Sequence, residues 1–238
     1  YTDVNRNNGI LGNVAGWFNS KGVYDPFPNT TYSNLSTFSN TTLVGSFGGV
    51  VGNNGSTPYN FGSSSVHIGI QQISATYVGN PNPTILGDRM VAIGTISGWS
   101  GNATADNIII GTHTNGITGQ GASCIAIGVD TGMTLQGGGA IAIGEDAGSN
   151  TQGLDAIAIG SAAGSTLQGV NAVAIGNTTG FTSQGANAIA IGNNAGYVSQ
   201  TSNSIAIGGG AGSNGQLGDS IAIGTNAGAR THGSNAVA

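Results

Sequence analysis

From about residue 88 onward, small and β-branched residues alternate, and the alternation stops at a glycine. "AIAIG" stands at 140–144, 156–160 and 188–192, "AVAIG" at 172–176, and "SIAIG" at 204–208 and 220–224. Alternation with period two and a β-branched residue on one side predicts a strand. The glycines that close these words are Gly94, Gly111, Gly128, Gly144, Gly160, Gly176, Gly192, Gly208 and Gly224, with steps of 17, 17 and then 16. Gln120, Gln136, Gln152, Gln168, Gln184, Gln200 and Gln216 keep the same 16-residue step, and His232 takes the next place. Glycines recur four residues after each closing glycine from Gly132 to Gly228. Asp or Asn recurs five residues before it, from Asp155 to Asn235.

A 16-residue period is too short for a pair of helices and does not fit heptads. It fits two short strands and two turns. One turn lies at G-x-x-A-G, and the other lies near Q-G-x-N, where Asn and Asp suit left-handed backbone. The expected fold is all-β: a parallel β-solenoid, or β-roll, with 16-residue coils stacked about 4.8 Å apart. Nine such words predict a rod segment of roughly 40 Å.

The alternation also defines two faces. One carries Ile or Val. The other carries Ala140, Ala142, Ala156, Ala158, Ala172, Ala174, Ala188, Ala190, Ser204, Ala206, Ser220 and Ala222. On hydrophobicity alone, the Ile column is expected to be the core of the coil. The flat Ala/Ser face is then expected outside, packed against another copy.

Residues 1–87 lack the fixed period and read as degenerate β-rich coils with long loops, ahead of the regular repeats at 88–238. "SVHIG" at 65–69 and "TLVGSFGG" at 42–49 are loose versions of the strand word, and "ILGNVAGW" at 10–17 matches "AIGNNAGY" at 190–197. Stretches such as "YDPFPNTTYSNLSTFSNTT" read as surface excursions from their Pro, Asn and Ser content.

Composition narrows the function. Only 5% of residues are charged and 45 of 238 are glycine, with a net charge of −5. There is no basic patch for nucleic acid and no apolar run long enough to span a membrane. A lone cysteine excludes an internal disulfide framework. The chain begins at Tyr1, which reads as a processed chain or a fragment.

The "AIAIG" word, with Ala-Gly four residues on, resembles the head repeats of trimeric autotransporter adhesins of the YadA type, over about residues 88–238. That resemblance implies a left-handed parallel β-roll, association of three chains, and binding to host or matrix surfaces. The 16-residue period with its Gln-Gly turn is longer than the usual head repeat.

Reactive groups are few. His67, His113 and His232 lie far apart, without a carboxylate at metal spacing. Cys124 sits where other coils have Ala or Ser, and Glu145 and Asp146 are adjacent acids on a turn. "GAGSNG" at 210–215 fits a nucleotide-loop pattern only through the glycines of the repeat. No catalytic residue, metal or cofactor is expected. Asn29, Asn34, Asn40, Asn54, Asn102 and Asn177 are glycosylation acceptors by sequence. The Gln column is expected to form stacked amide hydrogen bonds.

The expectation is therefore a non-enzymatic structural protein, extracellular or on a cell surface, whose partner is itself. Head-to-tail growth into a filament would pair Ile10, Leu11, Gly12 and Trp17 of one copy with Asn235, Ala236, Val237 and Ala238 of the next. The alternatives are a trimeric adhesin head or virus-fibre segment, and, below these, an ice-binding solenoid.

Overall fold

A computed structural model describes residues 106–112, 114 and 120–238 throughout; earlier in the chain it describes Arg89, Val91, Ile93, Gly94 and the backbone of the short strands named below. Among the described residues there is no helix, and every regular element is a strand. The repeat forms a parallel β-solenoid.

One coil shows the plan. Ile141–Ile143 is a strand, a turn follows at 144–149, Asn150–Gln152 is a second strand, and a second turn leads to Ile157–Ile159. The next coil lies directly on top: Ile141 pairs with Ile157, Ala142 with Ala158, and Ile143 with Ile159, all parallel. The first sheet continues this register from Val91–Ser97 through Ile108–Thr112 and Ile125–Val129 to Ile221–Ile223. A second sheet stacks Thr134–Gln136, Asn150–Gln152, Thr166–Gln168 and Thr182–Gln184, with single bridges continuing it at Val198 and Asn214. The turns also pair with the coil above, as in Gly148 N to Ala163 O at 2.9 Å and Gly153 N to Gln168 O at 2.8 Å. Stacked coils satisfy one another's backbone groups along both strands and at points in both turns, and bonds within each turn, such as Ala147 N to Gly144 O, take up others, so a chain poor in large apolar residues holds a defined fold.

The glycines that close the strand words have a positional cause. Gly192 has φ +125°, and a Cβ there would sit 2.8 Å from the backbone of Gly208 in the next coil. Three other columns are left-handed without being glycine. They are the Asn/Asp column from Asp155 (φ 53°) to Asn235 (58°), the residues before Gln136, Gln152, Gln168, Gln184 and Gln200, such as Leu167 (56°), and Asp146, Ala162, Thr178, Asn194 and Asn226. The Asn/Asp column is the turn signal read from the sequence.

The expected sidedness is reversed. Ala140, Ala142, Ala156, Ala158, Ala172, Ala174, Ala188, Ala190, Ser204, Ala206, Ser220 and Ala222 are all 0% exposed within a single chain. They line the inside of the coil and cannot contact another copy. The Ile column is outside: Ile175, Ile191 and Ile207 keep 37%, 36% and 36% of their surface in water. The reason is the width of the coil. Ala142, Ala147, Ala158, Ala163 and Ala174 form one packed row inside it. The turn backbone passes so close that a Cβ at Gly148 would lie 3.3 Å from the Ala142 Cβ. A space that thin admits methyl groups and excludes branched side chains. Where the interior residue is larger, as at Ile109, also 0% exposed, the coil is a 17-residue one.

Short strands of the N-terminal region join the same sheet. Asn8–Leu11 pairs in parallel with Thr42–Val44, that strand with Val66–Ile68, and that with Val91–Ser97. His67 falls in the Ala column, between Leu43 and Ala92.

Candidate functional site

Two features of the solenoid have the chemistry to do something: a polar column inside it and an apolar face outside it.

Inside, each Gln side chain enters the coil opposite the alanines and is at most 3% exposed. The amide of Gln184 shows the arrangement. Its Nε2 donates to Val173 O at 2.8 Å, to Ala188 O at 3.4 Å and to Gln200 Oε1 at 3.2 Å. Its Oε1 accepts from Gln168 Nε2 at 3.1 Å. The same side-chain chain runs from Gln200 to Gln216 at 3.2 Å and from Gln120 to Gln136 at 2.8 Å. The expected amide ladder therefore exists, and it is buried. The chain of bonds lacks two successive links, Gln136 to Gln152 and Gln152 to Gln168, because Gln152 Oε1 and Gln168 Oε1 are buried without a hydrogen-bond partner. The glycine four residues before each Gln makes room for the amide: a Cβ at Gly180 would lie 2.8 Å from Gln184 Oε1. His232 copies the donor half of a Gln. Its Nε2 lies 3.2 Å from Ile221 O and 3.2 Å from Ala236 O, carbonyls that match those taken by each Gln Nε2. Those two acceptors put the hydrogen on Nε2.

Cys124 takes an interior Ala position and is fully buried, its Sγ 3.0 Å from Gly137 O. Burial pushes its thiol above the ordinary range, which makes it a packing residue rather than a nucleophile. Thr131 and Thr179 replace interior alanines, and their hydroxyls donate to Gly144 O and Gly192 O of the next coil. The sequence offered no clear signal for these two staples.

Outside, two columns of Ile or Val run side by side over the coils from Ile108 to Ile223. No charged or polar side chain interrupts them. Flanking them on the turns are polar rows, including Asn171 Nδ2 to Asn187 Oδ1 at 3.3 Å and Asn203 Nδ2 to Asp219 Oδ1 at 3.1 Å. Leu135, Leu154, Leu167 and Val170 are exposed near the Gln-Gly corner.

The remaining expected residues are scattered. Glu145 and Asp146 are exposed on the turn. Among the described residues, no three His, Cys, Asp or Glu side chains gather at metal-binding distance. Arg89 and Asp106 form a two-bond ion pair at 2.5 and 2.6 Å, and the hydrogen bond from Arg89 holds the Asp106 carboxyl below the usual carboxylate range. Asn177 is exposed, and its Oδ1 accepts from Asn193 Nδ2 at 3.2 Å; Thr179, the sequon threonine, is 0% exposed. Asn29, Asn34, Asn40, Asn54 and Asn102 lie outside the described residues, as do Gly12 and His113.

The end-to-end residues sit at the two ends of the first sheet. Ile10 and Leu11 pair with Leu43 and Val44, while Thr2–Asp3 runs antiparallel along Asn8 and Gly9. Trp17 pairs with Asp25 in a separate two-stranded ribbon. Val237 bridges to Ile221, and Ala238 N donates to Ile221 O at 2.9 Å. Residues 235–238 thus begin the next rung.

These features define a β-solenoid repeat protein with a polar-laddered, methyl-lined interior and an apolar outer sheet. No protein-family model, no curated protein and no solved structure matches the chain.

Proposed function

We propose that this chain is a non-enzymatic structural rod, extracellular or on a cell surface, that associates side by side with copies of itself through the outer Ile/Val face. The observation that carries the reading is the double apolar column, 37%, 36% and 36% exposed at Ile175, Ile191 and Ile207 and unbroken by any polar or charged side chain from Ile108 to Ile223. Fully burying an Ile contributes on the order of 1.5–3 kcal/mol, so covering the third that remains exposed contributes roughly 0.5–1 kcal/mol per residue. The outer column alone holds Ile127, Ile143, Ile159, Ile175, Ile191, Ile207 and Ile223. Summed along the rod, that gain can offset the cost of association.

Adjacent residues test it with opposite outcomes. Ile191→Lys points a charge outward and should leave the coil folded while abolishing association, read as a fall to monomer mass by sedimentation. Ala190→Lys points a charge into the closed interior and should unfold the local coils. A wild-type protein that is monomeric at every concentration, or an Ile191→Lys variant that assembles normally, removes the proposal.

Whether the lateral contact closes into a trimer, as the adhesin-head resemblance implies, or extends into a fibre follows from the mass of the assembly. End-to-end growth has less support than lateral packing, because Thr2–Asp3 already pairs along Asn8 and Gly9.

A further inference from the structure

The two edges of the Ile/Val face decide which way round a second copy fits. Seven successive parallel pairings carry this face from the rung at Ile108 to the rung at Ile221, giving eight rungs about 4.8 Å apart. At one edge the chain leaves each strand through a turn that stacks coil on coil, as in Asp146 N to Val129 O at 3.0 Å and Asn194 N to Asn177 O at 3.1 Å. At the other edge it enters each strand through the Asn/Asp row, stacked as in Asn171 N to Leu154 O at 2.9 Å. Charge is unevenly spread along these edges. Glu145 and Asp146 are exposed on the leaving edge of the Ile141 rung, and Asp155 is exposed on the entering edge of the Ile157 rung. No Lys or Arg stands between Arg89 and Arg230, and residues 156–218 carry no charged side chain. In the upper coils the edges present exposed amides instead, Asn193 and Asn194 on the leaving side and Asn171 on the entering side.

Two copies related by a two-fold axis can lay this face on itself with their rods parallel or antiparallel. In the parallel arrangement the leaving edge of each copy lies along the entering edge of the other at the same height. Glu145 and Asp146 then stand one rung from the partner's Asp155, and the same acids meet again at the opposite edge with no cation between them. Three parallel rods would repeat this contact at every seam. Like charges brought together in this way oppose association. In the antiparallel arrangement leaving edge lies along leaving edge, with the heights inverted. About the midpoint between the rungs of Ile157 and Val173, the Ile141 rung meets the Ile189 rung. Glu145 and Asp146 then face the partner's Asn193 and Asn194, and Asp155 faces the partner's Asn171. Each carboxylate meets amide donors in place of another carboxylate. We propose that the Ile/Val face takes a second copy of this chain in antiparallel orientation, centred between Ile157 and Val173, an inference that rests on the lateral association proposed above. A two-fold contact is self-complementary and closes, so the product is a dimer.

The test uses the full chain with Cys124→Ala, single cysteines in the outer Ile column, and a short bis-maleimide, because facing sheets about 10 Å apart are too far for a disulfide. Antiparallel pairing sets Ile143 against the partner's Ile191. An equal mixture of the Ile143→Cys and Ile191→Cys chains should therefore cross-link to dimer mass, and neither chain should do so alone. Parallel pairing sets Ile143 against the partner's Ile141, so cross-linking in a mixture of Ile143→Cys and Ile141→Cys, and not in the first mixture, would overturn the proposal. Charge gives a second readout without cysteines. Asn193→Lys places a cation opposite the partner's Glu145 and should tighten the dimer dissociation constant about threefold at low salt. Adding Glu145→Lys should reverse that gain. Ser183→Lys, which changes net charge equally but lies on the other sheet, should leave the constant unchanged; an equal gain from Ser183→Lys would count against the antiparallel contact. A trimer mass, or the parallel cross-link, removes the orientation and leaves lateral association standing. A chain that is monomeric at every concentration removes both.

Discussion

Replacing Gln184 by Leu should cost far more than replacing Gln152 by Leu, although the two residues hold the same column and are each 2% exposed. Gln184 makes three donated contacts and accepts one, and its removal leaves Gln200 Oε1 without a donor in a closed interior. A buried orphan costs about 1–3 kcal/mol and each lost neutral bond about 0.5–1.5 kcal/mol. The greater burial gain of Leu offsets part of this, leaving a net loss of roughly 2–4 kcal/mol. Gln152 donates only to Ile141 O and Ala156 O, and its own Oε1 is already unpartnered. Its replacement removes an orphan rather than creating one, so the net loss should be about 2 kcal/mol smaller. Coils of a solenoid open with their neighbours rather than as one unit, so a single melting temperature would blur the difference. Amide hydrogen exchange at Val173 and Ile189 for the first variant, and at Ile141 and Ile157 for the second, reads each site locally. Equal protection losses at the two sites would refute the idea that the amide ladder, rather than side-chain volume, sets the cost.

Other outcomes follow from single positions. Gly192→Ala should disrupt stacking between adjacent coils, because its Cβ would meet the Gly208 backbone at 2.8 Å with φ at +125°; loss of β circular dichroism on mild heating would show it, and a wild-type melting curve would contradict it. Leu167→Asn relieves an apolar residue held at φ 56° and 53% exposed. It should slow amide hydrogen exchange at Thr166 and Thr182 about fivefold, for roughly 1 kcal/mol of local stability, and unchanged exchange there would contradict it. Cys124, buried and with its thiol pushed up, should react with a maleimide only when its coil opens, so labelling at native pH as fast as that of the unfolded chain would be the contrary result.

The period, the strand words, the two turns and the Gln column are all legible in the residues alone. Each is a local, repeated choice: Ile-Ala-Ile for a strand, Asn or Asp where φ is positive, Gly where the next coil's backbone passes. Repetition then places like on like, so Gln184 meets Gln200 and Asn187 meets Asn203 without further information. Which side of Ile189-Ala190-Ile191 faces inward is a different kind of question. Period-two alternation separates the two faces but does not say how wide the enclosed space is. Hydrophobicity favours Ile inside, and it is overruled by a coil whose turn backbone runs within methyl contact of the opposite strand. That distance comes from closing sixteen residues into a ring stacked on its copies, and no stretch of the chain shorter than the whole coil contains it. Only the closed coil turns Ala190 into core and Ile191 into surface.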